Sequence, residues 1–506
     1  MLHSKKKKKR LDCFFQPKRW LEGRGYALFF IIVLGMGGTF QNGFHVTVIS
    51  SPSPFVKSFI NSSWTERYGP PGPETVTFIW SAVVALYALG GFFGSVGVRL
   101  IIGKLGRKKA MIWNNVINII ASAIMFASKF ANSFEMILIS RLLFGFTSGG
   151  NVHAIYLGES SPKRIRGMVT LTSATFVSIG KLSGQLAGLR EVLGREEWWN
   201  VLLCVSTVFA MIQLLVLPFF PEAPRYLLIE KNNAEKCKSA LQCLWGPGDY
   251  EKEMEEMRAE QAAIGGERSK SLLELLRDKR VRWQLITMLV VHGCIQFCGI
   301  SAISVFSYNI FQEAGIPEDK IRYVTLGVGV SEVLTSITCS FLIESVGRRV
   351  LIWGGFAAMS VIMASITVTL CLQDYAFWIP YCTVALLFLF VIFYGGGPAG
   401  VLPSLTHEIF IQSCRPAAFV FTGTLRWLGF TVLGFMFPFL IAQFKSFSFL
   451  LFSGTCMGGA LYVFFMLPET KGKTLLEISE EFSRIKVCGS PKKEEEEKMC
   501  SVGTKL

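Results

Sequence analysis

Charge is scarce in this 506-residue chain: 17% of residues are Asp, Glu, Lys or Arg, against 51% hydrophobic and 13% aromatic. Histidine is scarcer still, with 5 residues scattered along the sequence. The 13 cysteines show none of the paired spacings of a zinc site or a disulfide framework, and several lie inside apolar runs, so they read as packing residues. No nucleophile stands with a base, no ligand cluster suggests a metal, and no glycine loop is placed for a phosphate. These absences imply no cofactor and no metal, and they make an enzyme the least supported class. A mean hydropathy of +0.44 is too oily for a soluble protein of this size.

What fills the chain is hydrocarbon. Apolar stretches of roughly twenty residues recur about twelve times, each long enough to cross a bilayer as helix. The first centres on Phe30 to Val48 and the last on Phe449 to Leu467. The expected fold class is therefore an all-α membrane protein. The net charge of +15 is concentrated in the opening "MLHSKKKKKR" and in short loops, which points to an anionic membrane face and excludes nucleic acid as partner. That tail is followed by no small-residue cleavage pattern, so the first apolar run is expected to remain as a span.

Lys and Arg also fix sidedness. With the tail in the cytoplasm, alternate short loops on its side hold Lys104, Arg107, Lys108 and Lys109, then Lys163, Arg164 and Arg166, then Arg348 and Arg349, then Arg415. Loops on the other side mix signs, which places both termini in the cytoplasm. The sequon Asn61-Ser62-Ser63 falls in the long external loop, a glycosylation candidate. Between spans six and seven lies the one substantial soluble stretch; Ser271 with Glu274 makes a capping box there. Residues 1–25 thus form a basic tail, 26–220 a first bundle, 221–282 linker helices, 283–467 a second bundle, and 468–506 a tail whose end, "GSPKKEEEEK", cannot bury a core.

The two bundles repeat one another. "LGRKK" recurs as "VGRR", "GESSPKRIRG" loosely as "HEIFIQSCRPAA", and "PEAPR" as "PETKG", always in cytoplasmic positions. Two six-span halves rocking about a central site need something to hold the inner side shut. Arg107, Glu159, Arg166, Glu222 and Arg225 supply both signs in one half, and Glu344, Arg348, Arg349, Glu408, Arg415 and Glu469 do so in the other. Pairs of this kind are worth ~1 kcal/mol or less, which suits a latch that releases in every cycle.

In this order, "LGRKK", "RLLFG", "GESSPKRIRG", "PEAPRYLL", "VGRR", "RPAA" and "PETKGKT" resemble the sugar-porter branch of the major facilitator superfamily. From about Trp20 to Phe482 the chain resembles the facilitative glucose transporters, and "GQLAGLREVLG", "KIRYVTL" and "LCLQD" resemble the class II branch of fructose and urate carriers. The resemblance implies twelve transmembrane helices in the superfamily fold, a hexose-sized cavity, and the salt-bridge role of the loop charges.

A hexose site needs amides, hydroxyls and an aromatic wall. Gln296 occupies the family's substrate glutamine, and Trp427 keeps the wall. Gln185, Ser301, Glu332 and His45 complete the expected substrate contacts. The pattern departs at Ala174, Ile295, Ser301, Glu332 and Pro403, where the family usually has amides or tryptophan, so glucose specificity is weakened. Glu332 and Arg426, both inside apolar spans, are expected to neutralise each other, with an anion as the alternative partner of Arg426. His45 stands where proton-coupled porters carry an aspartate, which favours uniport. Gly395, Gly396, Gly397, Pro398 and Pro403 weaken one helix and suggest a moving gate. The expected function is facilitative transport of a hexose, fructose or glucose, by a plasma-membrane monomer among lipids; an organic anion such as urate, or a non-transporting nutrient receptor, are the alternatives.

Overall fold

The computed structural model describes residues 34–150, 152–161, 166–245, 248–265, 272–278, 281–410 and 414–470, with 473, 477, 478, 481 and 482. The 1–25 tail, Ser271 of the capping box and the acidic end lie outside the described residues. Those described are helical, with no strand among them. Stretches 74–98, 107–130, 199–219, 282–313, 348–371, 379–402 and 417–466 are long and apolar enough to cross a membrane.

Counted in chain order, the first span is Thr39–Thr47, the second Pro73–Leu105 and the third Arg107–Phe130. The fourth is Phe134–Gly149 with Val152–Ser160, the fifth Arg166–Ala187, the sixth Trp199–Cys204 with Ser206–Val216. The seventh is Arg282–Gln296 with Ile300–Glu313, the eighth Glu318–Val346, the ninth Arg348–Cys371. The tenth is Ile379–Gly396 with Pro398–Ile409, the eleventh Arg415–Phe444 and the twelfth Ser448–Met466. This order is consistent with the twelve apolar stretches read from the sequence.

Lipid offers no hydrophobic drive for helix association, so close approach and polar contacts decide the packing. A methyl group on Gly145 or Gly149 of the fourth span would collide with the backbone of Tyr87 or Gly91, so the second and fourth spans touch main chain to main chain. Asn118 donates to Gln41 at 2.7 Å and Asn115 to Gln213 at 2.7 Å, tying the first, third and sixth spans. In the second half, Ser360 and Ser453 donate to each other's carbonyls at 2.9 and 2.7 Å, joining the ninth and twelfth. The second span packs on the eleventh and the fifth on the eighth, and these two seams join the halves.

Two spans break. The seventh breaks at Gly299, whose left-handed φ of 98° is not foreseen in the sequence reading. The tenth breaks where the glycine-proline run predicts, at Gly397 with φ −114° and ψ −109°. There the ninth and tenth spans approach closely, Gly355 lying against the Pro398 ring and the Gly397 backbone.

Outside the bundle, the linker forms Ala234–Trp245, Glu251–Gly265 and Leu272–Arg277, with a small core of Leu228, Cys237, Leu241, Met254 and Met257. Trp245 Nε1 donates to the Ser160 carbonyl at 3.0 Å, docking the linker under the fourth span. One expectation needs correction. Asn61 lies in a helix, Ser53–Tyr68, not in a loop; Pro54 starts it, and its weak apolar periodicity hid it. Asn61 is exposed on that helix.

Candidate functional site

The basic loops fold into two copies of one device. Gly106, at φ 85°, separates the second span from the third, and Gly347, at φ 100°, separates the eighth from the ninth. Behind each glycine a helix begins with unsatisfied N–H groups and a positive dipole end. Glu222 Oε1 accepts from the backbone of Arg107 and Lys108 at 3.0 and 2.8 Å. Glu469 accepts from the backbone of Arg348 and Arg349 at 3.0 and 3.1 Å. The side chains then pair alike: Arg107 with Glu159 at 2.8 Å, Arg348 with Glu408 at 2.9 Å.

Each copy has its own additions. Arg107 also meets Glu230 at 2.7 Å, a partner missed in the sequence because it follows the motif by several residues. Arg225 acts on Glu159 through its charge. Lys108 Nζ donates to the Pro218 and Phe220 carbonyls at 2.7 and 2.6 Å. Glu408 accepts from Thr470 at 2.5 Å, and Arg349 donates to the Phe464 carbonyl at 2.5 Å. All of these pairs close within a half. The side chains of Arg166, Glu344, Pro403 and Arg415 lie outside those described.

At the opposite end the contacts run between the halves. Ser50 and Ser307 share a hydrogen bond of 2.7 Å, and the Tyr308 N–H donates to Ser50 Oγ at 3.2 Å. Arg322 Nε donates to Ser51 Oγ at 3.2 Å. Tyr323 OH donates to Glu191 Oε1 at 2.7 Å, and this bond holds the Glu191 carboxyl below its ordinary pKa.

Between the two ends, Gln296 is nearly enclosed; its Nε2 donates to the Arg426 carbonyl at 2.5 Å, and Ser301 donates to its Oε1 at 3.5 Å. Trp427, one residue on, stacks on Phe430 at 6.3 Å and meets Tyr87 edge-on at 6.0 Å. Thus Gln296, Ser301 and Trp427 come together as expected. Gln185 lies across the seam against Gly329 of the eighth span, its Oε1 buried and without a hydrogen-bond partner.

His45 does not join that group. It is buried in the first half, stacked on Phe144 at 4.1 Å, and its carbonyl accepts from Arg141 at 3.1 Å. Arg141 also lies over the Tyr87 ring at 4.5 Å, a helix-holding role. The expected pairing of Glu332 with Arg426 is wrong. Glu332 is bound instead by Lys181 of the fifth span, Nζ to Oε1 at 2.5 Å, so the ion pair bridges the halves. The register that brings fifth and eighth spans together settles this, and no local spacing reveals it.

A family described as sugar (and other) transporter matches residues 30–482. The human solute carrier family 2, facilitated glucose transporter member 9 is 42% identical over 451 residues, covering 88% of this chain and 84% of that protein. Human member 11 is 41% identical over 472 residues, 92% of this chain and 95% of the relative. Member 5 of Equus caballus is 38% identical over 457 residues, covering 90% and 91%. The xylose transporter XylE from E. coli, solved in a partially occluded inward open conformation, superimposes with a TM-score of 0.74 at 17% identity, covering 89% of this chain and 100% of that one. That likeness concerns the fold.

Proposed function

Because this chain belongs to the sugar (and other) transporter family, we propose that it carries a hexose, glucose or fructose, down its gradient by rocking two six-helix halves about the Gln296–Trp427 site. The observation that carries this reading is the duplicated device: two glycine-arginine turns, each with a carboxylate on a helix start, one in each half and both at the same end. Such turns brace each half as a rigid body, which rocking requires. Gln296 and Ser301 then serve the sugar hydroxyls and Trp427 its apolar face.

The finer reading places the bundles at 26–220 and 283–467, with the basic tail 1–25, the linker 221–282 and the tail 468–506 in the cytoplasm. The plasma membrane, a monomer among lipids and glycosylation at Asn61 complete it. His45 supplies no carboxylate for proton coupling, so uniport is the mechanism, and the substrate leaves chemically unchanged. Gly395, Gly396 and Gly397 with Pro398 and Pro403 form the moving gate.

Uptake of labelled glucose and fructose into oocytes expressing the full chain tests this. Saturable uptake that collapses on replacing Gln296 with Ala is expected. No saturable hexose flux despite surface expression overturns it.

A further inference from the structure

We propose that Arg426 is the anchor for the carboxylate of an acidic sugar, so that the site takes a hexose-sized monoanion such as a hexuronate or an aldonate. This deepens the transport reading above and rests on it. Arg426 stands within the eleventh span, yet it is exposed. Lipid is not what it faces. Tyr87 of the second span, His292 of the seventh and Tyr394 of the tenth all feel its charge, and its guanidinium lies 5.7 Å from the Trp427 ring. These neighbours belong to both halves, so the group lies at the seam between them.

No carboxylate among the described residues pairs with it. Glu332, which acts on the same Tyr394, is held by Lys181 at 2.5 Å and is already neutralised. A cation kept bare inside a membrane is costly and marks function by default. A neutral hexose does nothing to offset that charge, whereas a carboxylate meets a guanidinium with two parallel charge-assisted hydrogen bonds. The hydroxyl-binding groups lie against the same turn, because Gln296 of the seventh span donates to the Arg426 main-chain carbonyl itself. Charge recognition and hydroxyl recognition therefore sit side by side, and an acidic sugar is the ligand class that uses both.

Uniport of a monoanion moves one negative charge per cycle, so its entry registers as outward current. Voltage-clamped oocytes expressing the full chain would be given D-glucuronate, D-gluconate, glucose, fructose and urate. Saturable outward current with labelled glucuronate uptake is expected. Replacing Arg426 with Gln should lower the ratio of acidic-sugar to hexose uptake ~10- to 100-fold, the value of a hydrogen bond to a charged group, and Lys should restore part of it. Should the Gln variant not reach the surface, competition in the unaltered protein decides: glucuronate must suppress labelled fructose uptake better than its uncharged amide does. Hexose uptake with neither glucuronate flux nor competition overturns the inference and leaves the carrier reading standing. Urate current without glucuronate current overturns it too. No saturable flux of any compound removes the carrier reading, and the inference with it.

Discussion

The two ends of the bundle use polar groups in opposite ways. At the basic end, Arg107 and Arg348 spend their charge within their own halves, on Glu159 and Glu230 and on Glu408. At the other end, Ser50, Ser51 and Glu191 of one half meet Ser307, Arg322 and Tyr323 of the other. Lys181 and Glu332, farther into the seam, also cross. The sequence reading expects the basic motifs to clasp the halves together. The pairs described instead stiffen each half, while among the described residues hydroxyl contacts and the Lys181–Glu332 ion pair hold one half against the other. That division suits a machine whose parts move as blocks.

The comparison breaks most sharply at the crossing pair. Replacing Lys181 with Ala leaves Glu332 charged and alone within the span and should cost ~3–5 kcal/mol, read as a large drop in thermal unfolding temperature in detergent. Leucine at both positions should recover most of it. Equal losses in the single and double variants would show that the pair does not couple the halves.

Next come the turning glycines. Alanine at Gly106 or Gly347 must adopt a left-handed backbone and push into a carboxylate, at ~1–3 kcal/mol each. Gly106 should suffer more, because an added Cβ there would sit 2.8 Å from Glu222 and 2.9 Å from the Tyr226 ring, against 3.0 Å from Glu469 at Gly347. The same melting assay ranks them, and the reverse order would undo the equivalence of the two turns.

Smaller still is the effect of Arg348→Ala on stability, ~1 kcal/mol or less for a partly solvated pair. Its mark should be on rate: slower hexose exchange with substrate binding retained, measured by flux beside a binding assay on the same preparation. Unchanged flux would remove the bracing role.

The weakest effect concerns Glu191. Its folded pKa is depressed, so the Tyr323 contact is fully present above the ordinary carboxylate range and is lost as pH falls through the folded value. Acid on the side of this end should loosen it slightly, and Tyr323→Phe should abolish the response in a fluorescence probe spanning the two halves. A pH response surviving in Tyr323→Phe would assign it elsewhere.

Most of the fold was legible because membrane spans depend on composition and length. The duplicated turns were legible too, since glycine, arginine and a later glutamate recur at matching places. The centre was legible only in part. Gln296 and Trp427 come together as expected, but the partner of Glu332 lies 151 residues away in sequence, and register between helices is not written in either segment alone. His45 lies apart from that group for a related reason: a polar residue in an apolar span faces inward, but inward here means the interior of its own half, against Phe144 and Arg141.

The meeting of Gly355 with Gly397 has a mechanical consequence. Helices usually interlock like gear teeth, and sliding one past another means unseating side chains. Here only glycine and a proline ring meet, and Gly397 is wedged between the carbonyls of Phe393 and Leu351 where any larger residue would jam. Were the segment after Gly397 to swing, it would turn against the backbone of the ninth span and the ring of Pro398 rather than against large side chains.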